Sequence, residues 1–184
     1  MVKQGITIEQ YKQLFSVIPQ EHYERDVLLY KLLWNLGGRV SEILNLKRES
    51  LNKVNVNGNI ECSLTIRVLK RKNYEHDIPI DNNLAMAIEE YCKNHNIGEG
   101  YLFSLTRQRI NQICKRDGFN IGFPRLSPHR FRHGLAQHLM HRKGLDAALV
   151  ADRLGHSSTR ITISEYGNVS DRDRKSLVSK IEEE

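Results

Sequence analysis

The sequence predicts a mainly α-helical domain with one small three-stranded antiparallel sheet set into it, an α+β arrangement. Three observations lead there. Apolar residues recur at helical spacing both before residue 50 and after residue 81. Between those stretches the period drops to two, with Ile60, Cys62, Leu64, Ile66 and Val68 alternating with more polar neighbours. Just ahead of that alternation stands Asn57-Gly58, the dipeptide that best suits a two-residue hairpin turn.

Each element follows from local chemistry. Thr7, with Gln10 three residues on, forms a capping-box pattern ahead of Ile8, Tyr11, Leu14, Phe15 and Ile18, and Pro19 closes that helix. The strongly apolar stretch RDVLLYKLLWNL is a second helix, stopped by Gly37-Gly38. A short helix, RVSEILNL, follows at once. Residues 54–69 form the hairpin, and HDIPI is the third strand, with Pro79 suited to an edge. Asp81 caps a helix ending by Gly98, and Thr106 caps another running to Gly118. Ser127 caps a helix that has Pro128 at its first position, is expected to run to about Lys143 and stops at Gly144. DAALVADRLG is the next helix, and a short one starts at Ser158 or Thr159. There is no linker long enough to divide the chain, so 1–184 reads as a single domain.

Composition narrows the function classes. The 184 residues carry a net charge of +6, which suits a polyanionic partner. Cys62, Cys92 and Cys114 are odd in number and form no CxxC pair, so neither a disulfide framework nor a zinc ribbon is expected, and a reducing, cytoplasmic setting is. No apolar run approaches the roughly 20 residues of a membrane span, and MVKQGITIEQ is not a signal-peptide pattern.

Against that background SPHRFRH, residues 127–133, stands out. His129 and Arg132, three positions apart, fall on one face of the helix start. Free backbone N–H groups and the positive end of the helix dipole already lie there, so extra cations are unfavourable unless an anion such as phosphate binds. A solvated basic helix start is the plainer alternative. A metal pair, His129 with His133, lacks a local carboxylate and faces repulsion from Arg130 and Arg132. Arg39 follows Gly37-Gly38 and has Glu42 three residues on to hold its guanidinium. The turn KRK, Lys70-Arg71-Lys72, offers phosphate contacts or a proton donor. LGHSSTRITISEYGN places His156 after Gly155 and Tyr166 ten residues later.

Taken together, GGRVSEILNL, the basic turn, SPHRFRHGLAQHL and RLGHSS…Y resemble the boxes of the tyrosine recombinase, or phage-integrase, family over nearly the whole chain. The resemblance implies that Arg39 and Arg132 hold the non-bridging oxygens of a scissile DNA phosphate. It implies that His129 assists proton transfer and that His156 donates another hydrogen bond. Tyr166 would attack phosphorus and become a 3′-phosphotyrosine, with Lys70, or Lys72 if the turn is shifted, protonating the leaving 5′-oxygen. Glu42 would support Arg39, while Arg71, Lys72, Arg130 and His133 would contact DNA or pack locally. Neither a cofactor nor a metal is implied. The implied partner is double-stranded DNA, bound as a homotetramer, with a monomer in free solution equally open and residues 170–184 packing on a neighbouring protomer. Family members usually carry a helical DNA-binding domain ahead of this one, and the expectation is that it is missing here. The competing functions are type IB topoisomerase-like relaxation and a non-catalytic DNA-binding module.

Overall fold

The computed structural model describes residues 5–67, 75–142 and 145–154. Chain order is α1 (Ile8–Leu14), α2 (Tyr23–Leu36), α3 (Val40–Leu44), β1 (Leu51–Val56), β2 (Asn59–Arg67), β3 (Glu75–Ile80), α4 (Asn82–Asn94), α5 (Arg107–Asn120), α6 (Pro128–Gln137) and α7 (Ala147–Arg153). The architecture is the expected one: helices around one apolar core, with a three-stranded antiparallel sheet in the order β1-β2-β3.

Local signals placed most boundaries. Thr7 Oγ1 accepts the Gln10 N–H at 3.2 Å while the Gln10 side chain accepts the Thr7 N–H, so the capping box is complete. Asp81 accepts from Leu84 N–H at 2.7 Å and Thr106 from Arg109 N–H at 3.1 Å. Gly37 ends α2 in the left-handed region at φ 56°, where a side chain is strained. Asn57 and Gly58 take positive φ, 53° and 88°, as a primed hairpin turn requires. Pro79 pairs with Ser63 on β3, an edge of the sheet, where its missing N–H costs no ladder bond on the outer side.

Four expectations shift. Ile60 is 49% exposed although it continues the buried alternation of Cys62, Leu64 and Ile66, because the hairpin tip overhangs the core. The helix capped by Thr106 runs past Gly118 to Asn120. There the absent side chain leaves room for Leu126 and for the Phe123 carbonyl, which would lie 2.5 and 2.6 Å from an added Cβ. Ser127 stands at the N-cap of α6, but its side chain makes no capping bond; its backbone carbonyl accepts from Arg130 N–H at 2.8 Å instead. The helix after it ends at Gln137 and is followed by a π-turn at His138–Arg142. Val68 and the helix expected at Ser158 or Thr159 lie outside the described residues.

The core brings α2 and α6 together. Tyr30 stacks on Phe131 with centroids 5.4 Å apart, and Trp34 stacks on Tyr11 at 4.8 Å. Gly134 lets the segment before α1 cross α6 closely: a Cβ there would lie 2.2 Å from the Ile6 carbonyl oxygen. The pairing of α2 with α6 sets the Gly37–Arg39 corner beside the first turns of α6. A buried polar cluster fastens α5 to α2. Arg116 bridges Asp26 at 3.0 Å and Asp117 at 2.6 Å, and Tyr30 Oη donates to Asp117 at 2.6 Å. Burial pushes the Tyr30 hydroxyl well above its ordinary range, with the nearby Cys114 and the Asp117 carboxylate adding to the rise. The three cysteines are buried thiols.

Candidate active site at an arginine-lined cleft

Arg39 sits at the N-cap of α3, one residue after Gly38. Glu42 folds back on it. One carboxylate oxygen accepts the Arg39 backbone N–H at 2.7 Å, and the other accepts Arg39 Nη1 at 2.8 Å. Glu42 is 5% exposed and Arg39 31%, so the carboxylate is the buried strut and the guanidinium the presented group. Gly38 packs closely against this pair: a Cβ there would meet Ile43 Cδ1 at 3.2 Å, which would have to give by a few tenths of an ångström, and Glu42 at 3.6 Å, an ordinary contact.

Arg132, on α6, is buried at 5% exposure. Its Nη1 donates to the Gly37 carbonyl at 2.8 Å. That carbonyl belongs to the C-terminal end of α2, where partial negative charge favours a cation. Its Nη2 is buried without an acceptor among the described residues. Burial, and next the charge of Arg39, lower the Arg132 guanidinium to about 10, against the opposing pull of Glu42. Two guanidiniums that repel one another, one of them with a desolvated donor left over, form a site that an anion stabilises.

His129 is exposed on the first turn of α6, and its ring meets that of His133 edge to face with centroids 4.4 Å apart. Arg39, Ser41, His129 and Arg132 open together into a cleft of about 500 Å³. The structure thus joins the Arg39–Glu42 pair to the His129–Arg132 pair, two neighbouring pairs that lie far apart from each other along the chain. His133 packs on His129, whereas Arg130 does not line the cleft and engages the N-terminal segment, its carbonyl accepting the Ile6 N–H at 3.1 Å. Lys70, Arg71, Lys72, His156 and Tyr166 lie outside the described residues.

The cleft is also lined by two residues that the sequence reading missed, Arg107 and Asn111. They occupy the first turns of α5, so a second helix N-terminus meets the cleft. A signal was present: Thr106 as cap with Arg107 and Arg109 directly behind it repeats the cation-at-helix-start pattern of α6. Among the described residues, no three His, Cys, Asp or Glu side chains form a metal-binding group, and no helix is long and apolar enough to cross a membrane.

This fold and cleft define a class. The model of the phage integrase family matches residues 4–173, and the chain belongs to that family. It is 32% identical over 167 residues to the tyrosine recombinase XerA of Pyrococcus furiosus, a match covering 86% of this chain and 55% of that protein. It is 29% identical over 185 residues to the tyrosine recombinase XerC of Staphylococcus carnosus, covering 92% and 58%. The chain therefore spans a little over half the length of these curated relatives. Among solved structures, the XerA recombinase superposes with a TM-score of 0.69 at 19% identity, covering 100% of this chain and 67% of that one. The XerH site-specific recombinase bound to its difH substrate gives 0.71 at 18%, covering 90% and 51%. The fold is that of these recombinases' catalytic domains.

Proposed function

We propose that this chain is the catalytic domain of a tyrosine-type site-specific recombinase, which cleaves and rejoins DNA through a covalent 3′-phosphotyrosine. One observation supports the reading above the others. Arg132 holds a buried donor without an acceptor among the described residues, beside Arg39, in a cleft that His129 also lines. A phosphodiester supplies the missing acceptor, and its non-bridging oxygens match two guanidiniums.

In this mechanism the Tyr166 oxygen attacks phosphorus. The new O–P bond forms as the bond from phosphorus to the 5′-oxygen breaks, and the electron pair leaves on that oxygen. Lys70, with Lys72 as the alternative, delivers the proton it takes up. Arg39 and Arg132 stabilise the charge that builds on the non-bridging oxygens, while His129 and His156 complete the cradle. Tyr166 gives up its phenol proton as it attacks, and His129, in the proton-transfer role that the family implies, takes it. The bond energy stays in the phosphotyrosine, so a 5′-hydroxyl can attack it and rejoin a strand without a nucleotide cofactor. Arg107 and Asn111 contact the flanking strand, and Arg71, Arg130 and His133 take backbone or packing roles. Assembly as a homotetramer on DNA in the cytoplasm belongs to the same proposal and rests on family membership.

The test uses duplexes of randomised sequence, each with a nick that lets the short cleaved piece diffuse away. The expected result is an adduct that survives detergent and is lost with Tyr166→Phe. A chain that binds the pool but forms no adduct at any salt concentration, while Tyr166→Phe binds equally, overturns the reading. Light scattering with and without the recovered duplex measures the assembly.

A further inference from the structure

Arg153, the last residue of α7, is 4% exposed. Buried arginine normally meets a carboxylate, yet here its bonded partners are two backbone carbonyls. Nη1 donates to Pro79 at 2.7 Å and Nη2 to Asn35 at 3.1 Å. Nε is buried without an acceptor among the described residues. Burial lowers its guanidinium to about 10, and Asp81 counters that only in part. Such a group does not repay its desolvation through ion pairing. The two carbonyls therefore matter more than the charge.

Both acceptors are placed tellingly. Asn35 lies in the last turn of α2, four residues before Arg39, where orphan carbonyls and the negative helix end favour a cation. Pro79 lies on β3, which follows Lys70 and Lys72 in the sequence. Arg153 itself is three residues before His156 in the sequence. One side chain thus ties together three chain segments, each adjoining a group assigned to the reaction. Arg132 binds the carbonyl of Gly37, two residues on from Asn35, so the end of α2 is held by two arginines from different helices.

We propose that Arg153 is a positioning residue that clamps the end of α2 and strand β3 to the end of α7, and so sets the spacing of Arg39 and of the chain segments that lead to Lys70 and to His156. The catalytic part of this inference rests on the recombinase reading; the clamp itself does not.

The test compares the chain with Arg153→Met and Arg153→Lys. Amide hydrogen exchange is measured without DNA, followed by DNA affinity and the adduct rate on a duplex recovered from the nicked pool. With Arg153→Met, exchange is expected to speed up at least tenfold at residues 35–39 and at Ile78 and Ile80, the neighbours of Pro79, which has no amide hydrogen, while the interior of α5 stays unchanged. The adduct rate is expected to fall tenfold or more with DNA affinity within twofold. Arg153→Lys, which can still reach one carbonyl, is expected to fall between the two, and it decides the matter if the methionine variant does not fold. Unchanged exchange at both segments overturns the clamp, as does an increase spread evenly over the chain. A locally loosened variant that forms adduct at the unaltered rate overturns the positioning role. If the unaltered chain forms no adduct while exchange changes as expected, the reaction assignment falls and the clamp stands.

Discussion

Glu42→Gln isolates what the carboxylate under Arg39 does. The substitution keeps the shape and leaves one acceptor oxygen for the Arg39 backbone N–H, but it removes the charge. Two charge-assisted bonds, at 2.7 and 2.8 Å, are affected. Bonds to a charged group contribute about 1.5–3 kcal/mol and neutral ones about 1. Against that, a buried carboxylate no longer needs desolvating, and Arg39 at 31% exposure keeps water as a partner. The net cost to folding is about 1 kcal/mol, or roughly 2–4 °C in Tm for a domain of this size. The effect on reaction is larger. An Arg39 guanidinium free to swing by about 1 Å can cost on the order of a hundredfold in rate. Loss of the negative charge beside Arg39 and Arg132 works the other way on binding, since the cleft becomes more cationic. The expected outcome is DNA affinity equal or slightly tighter, an adduct rate lower by ten- to a hundredfold, and a small Tm shift. Calorimetry, a binding titration and single-turnover adduct formation measure the three. An unchanged adduct rate, or a rate loss that only mirrors weaker binding, refutes the positioning argument for Glu42.

Three other substitutions probe separate parts. Lys70→Ala is expected to slow adduct formation by about 10²–10⁴-fold, and a sulfur in place of the bridging 5′-oxygen, which leaves without a proton, is expected to restore most of it; if Lys72→Ala behaves this way instead, the assignment moves to Lys72. Arg107→Ala is expected to weaken binding about equally across DNA sequences and to reduce the slope of log affinity against log salt by about one; an unchanged slope removes it from the DNA surface. Tyr30→Phe removes the hydroxyl bonded to Asp117 while Arg116 still holds that carboxylate, so urea melts are expected to show a loss of about 1.5–3 kcal/mol with the adduct rate unaltered. A loss below about 0.5 kcal/mol means that Asp117 does not depend on the hydroxyl.

What was legible in the sequence was what short-range chemistry decides. Thr7 with Gln10, Asp81, Thr106, Gly37 and Asn57-Gly58 each act within a few residues, so composition was enough to place their helix starts, helix stop and turn. The pairing of Arg39 with Glu42 is likewise confined to one helical turn, and the spacing of His129 and Arg132 already put them on one face. Ile60 misled because alternation reports which side of a strand a residue is on, not whether the core extends beneath it. Ser127 misled because residue type permits a cap without choosing the rotamer that forms it.

By itself, then, the sequence determined the order of elements, the family and the residue types of the cradle. Only the tertiary structure decided that Arg132 spends one donor on Gly37 and keeps another buried, that Arg107 and Asn111 line the same cleft as His129, and that Arg153 grips the ends of α2 and β3. These contacts join residues far apart in the chain and depend on how α2, α5, α6 and α7 pack. Short-range propensity has no access to that, because the same arginine is a solvated surface charge or a buried clamp according to what folds over it.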